Sequence, residues 1–269
     1  MSDLYLHSMA EFGDLILDGL RLAGVRDIVE IGAEFGGMSA RLAAFARARD
    51  GRLTSIDPEP KPAFASWLGE HPEVTHIAQP SLEALAQVAA ADAWIVDGDH
   101  NWYTVHHELK AIEAACRRDG KPLLAFLHDV GWPCARRDLY YAPDRVPADF
   151  RQPFCFDGGV VLGDSGLHAG RGLRGAGQFA WALGEGGPRN GVLTAIEDFV
   201  ADAPEGAYCF ARIPAVLGLG VLFDAAAPWS PDLATLLVPY HDNRLLETIE
   251  INRLRNYLAV LDWQDRAAA

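Results

Sequence analysis

Short apolar runs alternate with longer stretches of helical periodicity through the first half of the chain. The runs are Ile28 to Ile31 (IVEI), Leu53 to Ile56 (LTSI), Val74 to Ala78 (VTHIA), Ala93 to Val96 (AWIV) and Leu123 to Leu127 (LLAFL). None alternates strictly in polarity, so each is predicted to be a strand buried on both faces. Between them, Met38 to Arg49 has apolar residues at helical spacing, Ser81 to Ala90 opens with a serine cap and a nearby glutamate, and Val105 to Arg118 is amphipathic. Strands alternating with helices predict an α/β fold, a doubly wound sheet whose parallel strands are joined by crossover helices.

The pattern breaks after the fifth run. Residues 131–189 are rich in Gly, Pro, Arg and aromatics and hold no sustained period. So long an irregular segment in a compact domain is usually functional, and it is read as an inserted lid over a substrate. Regularity returns with a helix over Asn190 to Asp202, then two apolar strands in YCFARIPAVLGLGVLFD divided at Pro214, so the sheet is predicted to end antiparallel. A last helix over 242–263 has Asp242 as its cap and an apolar stripe through Leu245, Ile249, Leu254, Leu258 and Leu261. That stripe needs a surface, either its own domain or a second subunit, which makes a homodimer through this helix or through the insert an expectation. With a helical segment over 1–25, the chain reads as one domain spanning 1–269.

Composition narrows the function. Lys plus Arg number 23 against 37 for Asp plus Glu, a formal net charge of -14. Nucleic acid is disfavoured as a partner, because phosphate binding needs a basic surface, and a small-molecule substrate is favoured. No stretch approaches the roughly 20 apolar residues of a membrane span, and the first residues carry acids where a targeting segment would be basic. No membrane association and a cytoplasmic location are expected. Cys116, Cys134, Cys155 and Cys209 have neither CxxC nor finger spacing and read as reduced thiols.

The candidate chemistry sits at strand ends. After the first strand, VEIGAEFGGMSARL places Gly32, Gly36 and Gly37 where a helix opens, so backbone can approach a ligand closely. The spacing is G-x-x-x-G-G, not the dinucleotide G-x-G-x-x-G, and Glu30 would repel phosphate. A ligand bearing carboxylate and ammonium groups fits better, and Asp57, ending LTSID, stands where an acid accepts hydrogen bonds from a ribose diol. After the fourth strand comes DAWIVDGDHNWYTVHHEL, and after the fifth His128-Asp129. Ligands of such sheets bind beyond the carboxyl ends of the strands, so Asp97, Asp99, His100, His128 and Asp129 should face one crevice.

VEIGAEFGG, LTSID, the Ser81 turn and WIVDGDH, followed by the antiparallel hairpin, resemble the class I S-adenosylmethionine-dependent methyltransferases. The combination of WIVDGDHNWY with FLHDV most resembles the branch of the macrocin and mycinamicin sugar O-methyltransferases. The resemblance implies a Rossmann-like seven-stranded sheet with its last strand antiparallel and a long insert after strand five. It implies S-adenosyl-L-methionine with its methionine end over Glu30, Gly32, Ala33, Glu34, Gly36, Gly37 and Ser39, its ribose on Asp57, and its adenine near Gln79 to Leu82, with Ser81 and Asp97 in contact. It implies Mg2+ on Asp97 and Asp129, and His100 as the base that removes the acceptor's proton. The family has two adjacent acids where this chain has His128-Asp129. Magnesium prefers oxygen to imidazole nitrogen, so either two carboxylates and waters hold it, with His128 a candidate third ligand, or His128 is a hydrogen-bond or proton-transfer group of a metal-free site.

Trp102, Tyr103 and Trp132 are candidates to stack on an acceptor. The insert adds Arg136, Arg137, Tyr140, Tyr141 and Arg145, a rim suited to polyol or anionic groups, of which Arg136 and Tyr140 are expected to contact substrate. The expected activity is O-methylation of a sugar or other small natural-product-like hydroxyl. A cofactor-binding relative with a hydroxylase-like or regulatory role is the alternative.

Overall fold

Alternate residues along each apolar strand feed two separate cores, and this is why the runs are continuous in hydrophobicity. Val29, Ile31, Trp94, Val96, Ala125 and Leu127 pack on one face, and Ile28, Ala93, Ile95, Leu124 and Phe126 on the other. The computed structural model describes residues 7–268; the first six residues of the expected N-terminal helical segment lie outside them.

The central sheet contains β1 (Ile28–Ile31), β2 (Leu53–Ile56), β3 (Thr75–Ile77), β4 (Ala93–Val96) and β5 (Leu124–His128). The insert contributes the short strands β6 (Leu139–Tyr140), β7 (Phe154–Cys155), β8 (Gly158–Gly159), β9 (His168–Ala169) and β10 (Ala180–Ala182). The sheet is completed by β11 (Tyr208–Ile213) and β12 (Leu219–Asp224). Its seven strands run in the order β11-β12-β5-β4-β1-β2-β3. The β1 to β5 pairings are parallel, whereas β12 is antiparallel to both β5 and β11. The last strand in sequence is thus wedged between two others.

The helices are α1 (Gly13–Leu22), α2 (Gly37–Arg47), α3 (Pro62–Glu70), α4 (Ser81–Leu85), α5 (Trp102–Asp119), α6 (Val192–Ala201), α7 (Ser230–Leu237) and α8 (Arg244–Ala268). Among the described residues no helix is long and apolar enough to cross a membrane, and the four cysteines are free.

Four sequence expectations need correction. β3 is an edge strand with Thr75 exposed and His76 and Ile77 half-buried, so it is not the fully buried strand that the pattern predicts. The helix expected over Ser81 to Ala90 stops at Leu85, and Pro80, not Ser81, occupies its cap position. The C-terminal helix is capped by Asn243, whose side-chain oxygen accepts the N–H groups of Leu245 and Leu246 at 2.9 and 3.1 Å, because Asp242 is turned away in a left-handed conformation. Of its expected stripe, Leu254 is buried, but Leu245 and Ile249 are exposed. The helices α3 and α7 were not legible in the pattern.

The insert is built into the molecule at three points. Asp138 is fully buried between the starts of α5 and α6, and its Oδ1 accepts the N–H groups of Trp102 and Gly191, both at 2.7 Å. Its Oδ2 accepts the Tyr140 hydroxyl at 2.6 Å. Leu139 N–H donates to the His100 carbonyl at 3.0 Å, laying β6 along the strand end that carries His100. On the far side Arg171 and Arg174 pair with Asp262 and Asp265 of α8.

Candidate active site

The glycine turn after β1 is tight because two backbones cross there. Gly32 has φ 82°, and a Cβ on it would lie 2.2 Å from the Asp97 carbonyl oxygen; Gly36 has φ 81°, and a Cβ would lie 2.5 Å from the Phe64 ring. Both positions combine left-handed backbone with no room, so only glycine serves. A Cβ on Gly37 would make ordinary contact with Ala10, and that glycine is not demanded in the same way. Asp57 closes the turn onto β2: its Oδ2 accepts the N–H groups of Ala33 and Glu34 at 3.0 and 3.1 Å, and its Oδ1 accepts that of Glu59 at 2.8 Å. Glu30 is buried beneath the turn and accepts the Ser39 hydroxyl at 2.7 Å. Burial pushes its pKa up to about 7, so a cation arriving beside it would favour its charged form.

Beyond β4 and β5, Asp97, His100, His128 and Asp129 converge, whereas Asp99 turns to the Thr104 hydroxyl at 3.4 Å. Single ligand atoms from Asp97, His100 and Asp129 all lie within 4.8 Å of one another. Asp129 has φ 60°, a left-handed conformation that aspartate tolerates better than most residues. Its Oδ2 is 3.4 Å from His100 Nδ1 and 3.3 Å from His128 Nδ1. Burial alone would raise the Asp129 pKa, yet the imidazoles of His100 and His128 hold it below the usual carboxylate range. His100 does not cap the following helix. Asn101 does, accepting the Thr104 N–H at 2.9 Å.

His128 faces acceptors with both nitrogens. Nε2 lies 2.9 Å from the Val216 carbonyl, so it carries a hydrogen; Nδ1 lies 3.2 Å from Asp97 Oδ1 as well as beside Asp129. Burial would lower its pKa, but the two carboxylates hold it well above the ordinary histidine value. The turn that supplies Val216 is itself held from α8, where Glu250 accepts the N–H groups of Val216 and Leu217 at 3.0 and 2.9 Å. Phe12 packs edge-on against His128, its ring 6.0 Å away.

The expected aromatic and arginine rim is used elsewhere. Trp102 is buried, its indole N–H donating to Asp198 at 2.7 Å, and Tyr103 packs on Phe150 and His107. Tyr140 is buried with its hydroxyl on Asp138, and Trp132 is half-buried against the core. Arg136 pairs with Glu197 of α6, and Arg137 is buried, donating to the carbonyls of Ala182 and Ser165. The insert residue that does reach the site is Tyr141, half exposed, with its ring 5.8 Å from that of His100. Its place beside Tyr140 in CARRDLYY was a signal, but nothing in the sequence separated the buried ring from the one that overhangs His100. Arg145 reaches back over the loop after β2, 3.9 Å from Glu59.

Residues 29–130 match a family described as a methyltransferase domain. That stretch spans the strand ends carrying the glycine turn, Asp57, Asp97, His100 and Asp129. Among solved structures, the O-methyltransferase TomG of Streptomyces achromogenes, involved in tomaymycin synthesis and in complex with SAM, is 17% identical, with 82% of each chain covered and a TM-score of 0.48. An O-methyltransferase from Bacillus cereus in complex with SAH is 13% identical over 83% of this chain and 85% of that one, with a TM-score of 0.48. An SAH-bound methyltransferase from Podospora anserina is 13% identical over 78% and 76%, with a TM-score of 0.47. No curated protein sequence matches the chain.

Proposed function

We propose that the protein transfers a methyl group from S-adenosyl-L-methionine to a hydroxyl of a sugar or another small natural-product-like molecule. The observation that carries this reading is the convergence of Asp97, His100 and Asp129 at the strand ends beside the glycine turn and Asp57. A sulfonium already carries its leaving group, so the protein's work is to align acceptor, methyl and sulfur and to take the hydroxyl proton. With Nδ1 turned to Asp129, His100 has its other nitrogen left for that proton. The carboxylate fixes the ring and stabilises the imidazolium that forms. His128 is a positioning residue that holds Asp97 and Asp129 in place.

Magnesium does not suit this cluster. It favours a shell of oxygen donors in octahedral geometry, whereas the third group here is an imidazole, and Asp97 and Asp129 already receive a shared His128. No step is therefore routed through an ion. Turnover is expected to be unchanged in excess chelator and to gain nothing from added magnesium. Activity lost on chelation and restored by magnesium would overturn this part of the reading.

Calorimetry with S-adenosylhomocysteine tests the cofactor. Asp57→Ala is expected to weaken its affinity by about tenfold or more, through loss of charge-assisted hydrogen bonds to the ribose and loosening of the turn whose amides Asp57 now holds. Affinity equal to that of the wild type would sink the assignment of this crevice. A homodimer is also part of the proposal: Leu245, Ile249 and Trp263 are exposed on α8, and sedimentation of the purified chain as a monomer would remove it.

A further inference from the structure

The turn between β11 and β12 is not built from turn residues. Val216, Leu217 and Gly218 all have left-handed backbone, with φ of 44°, 64° and 92°. Glycine or asparagine adopts that conformation at little cost, whereas a β-branched valine is an outlier there. Such a residue persists only where its surroundings hold it. What holds this turn is one side chain of α8. Glu250 commits both carboxylate oxygens to it, Oε2 accepting the Val216 N–H at 3.0 Å and Oε1 the Leu217 N–H at 2.9 Å. Glu250 is itself fixed by Arg253, whose Nε donates to Oε2 at 2.7 Å and whose Nη2 donates to Oε1 at 2.6 Å. Its side chain is 12% exposed. Burial would raise its pKa, yet Arg253 and the two N–H groups hold it below the ordinary carboxylate range.

The carbonyl side of the same turn grips the site. The Val216 carbonyl lies 2.9 Å from His128 Nε2, and the Leu217 carbonyl accepts the Gly131 N–H at 2.6 Å. A Cβ on Gly131 would lie 2.5 Å from the Leu217 oxygen, and one on Gly218 would lie 2.4 Å from the Gly131 nitrogen, so the two backbones are in direct contact. His128 stands just before Asp129 and Gly131 just beyond Val130, so Asp129, itself left-handed at φ 60°, is held from both sides. Its Oδ2 faces His100 Nδ1 at 3.4 Å. Resting on the assignment of His100 as the base, we infer that Glu250 is a positioning residue for methyl transfer: by clamping this turn from α8 it sets His128 and the 129–131 backbone, and through Asp129 the direction of the His100 ring. A reacting group displaced by about an ångström by a change far from the chemistry can lose on the order of 100-fold in rate. Contiguity alone does not establish such a coupling, so the test reads both ends of it.

The test uses the full chain carrying Glu250→Gln. Glutamine keeps the length, the packing and one acceptor oxygen, but turns an amide NH2 toward the other N–H. Three quantities are read: turnover per folded molecule, S-adenosylhomocysteine affinity by calorimetry, and the His128 Nε2–H proton resonance, assigned by its absence in His128→Asn. Turnover is expected to fall by about tenfold to 100-fold. Affinity is expected to stay within about twofold, the split that marks a loss confined to the transition state, because the glycine turn is held by Asp57 and not by α8. The resonance is expected to move upfield as the hydrogen bond to the Val216 carbonyl lengthens. An unchanged resonance overturns the inference whatever the activity, since that measurement needs no acceptor. A shifted resonance with unchanged turnover overturns it too, and so does affinity that falls as far as turnover, which marks a general loosening of the fold. Turnover left intact in His100→Ala, a protein whose Glu250 is untouched, refutes the base assignment itself, and this inference falls with it.

Discussion

His100→Ala is expected to lower methyl transfer per folded molecule by about 100- to 10,000-fold, the span for losing a positioned base. Affinity for S-adenosylhomocysteine should barely move, because Asp57 and the glycine turn hold their geometry through contacts that do not involve His100. The measurement is S-adenosylhomocysteine formed with an acceptor found by screening hydroxylated small molecules, corrected for folded fraction. The structure removes one competing explanation in advance: the cap of α5 is Asn101, backed by Asp138 on the Trp102 N–H. A loss of activity in His100→Ala thus cannot be charged to an uncapped helix. His100→Asn offers no base of comparable strength and should be as inactive as the alanine variant. Near-normal turnover in His100→Asn would end the assignment.

Asp138→Ala is expected to be the most destabilising single change in the insert, on the order of 3–9 kcal/mol. It strands two buried N–H groups and a hydroxyl, each costing about 1–3 kcal/mol when left unpaired, in a fold whose whole stability is of the order of 5–15 kcal/mol. Asp138→Asn should cost less, because one oxygen can still accept from both Trp102 and Gly191. Only the Tyr140 hydroxyl then loses its acceptor, its own oxygen already receiving the Gln152 N–H.

The two proteins should also differ in pH dependence. Burial pushes the Asp138 pKa from 3.8 up to about 6, so the folded state binds its proton more tightly than the unfolded chain does. Its contribution to stability is therefore full below pH 3.8 and is lost as pH rises through about 6. The deficit of Asp138→Asn, which does not titrate, should shrink across that window and then level off. Chemical denaturation of the three proteins between pH 4 and 8 checks this, and a deficit that grows with pH would contradict it.

Much of this architecture was written locally. A four-residue apolar run with its neighbours supplies enough information to become a doubly buried strand wherever both faces are covered, and β1, β2 and β4 sit where the pattern placed them. The hairpin around Pro214 and the helix of α6 followed from the same local signals. The crowding of Asp97, His100 and Asp129 was legible for a related reason: parallel topology brings the carboxyl ends of neighbouring strands to one edge, so residues far apart in sequence share a crevice by construction.

What the chain alone left undecided was the partner of each polar side chain. Arg136 and Arg137 looked alike in CARRDLYY, yet one meets Glu197 and the other the carbonyls of Ala182 and Ser165, residues far along the chain. Tyr140 and Tyr141 are adjacent, and only the register of β6 against the His100 strand end sends the first ring inward to Asp138 and leaves the second over the His100 ring. Asp138 itself carried no sequence signal, because its value lies in two helix starts that meet only in three dimensions. β3 is only partly buried for the same reason: its run reads like its neighbours', but it came to lie at the edge of the sheet. Hydrophobic periodicity determines which segments are buried, since burial free energy scales with the area each residue offers. Hydrogen bonds and charge pairs depend on direction and on distances of a few ångströms, and those are set only when the elements pack.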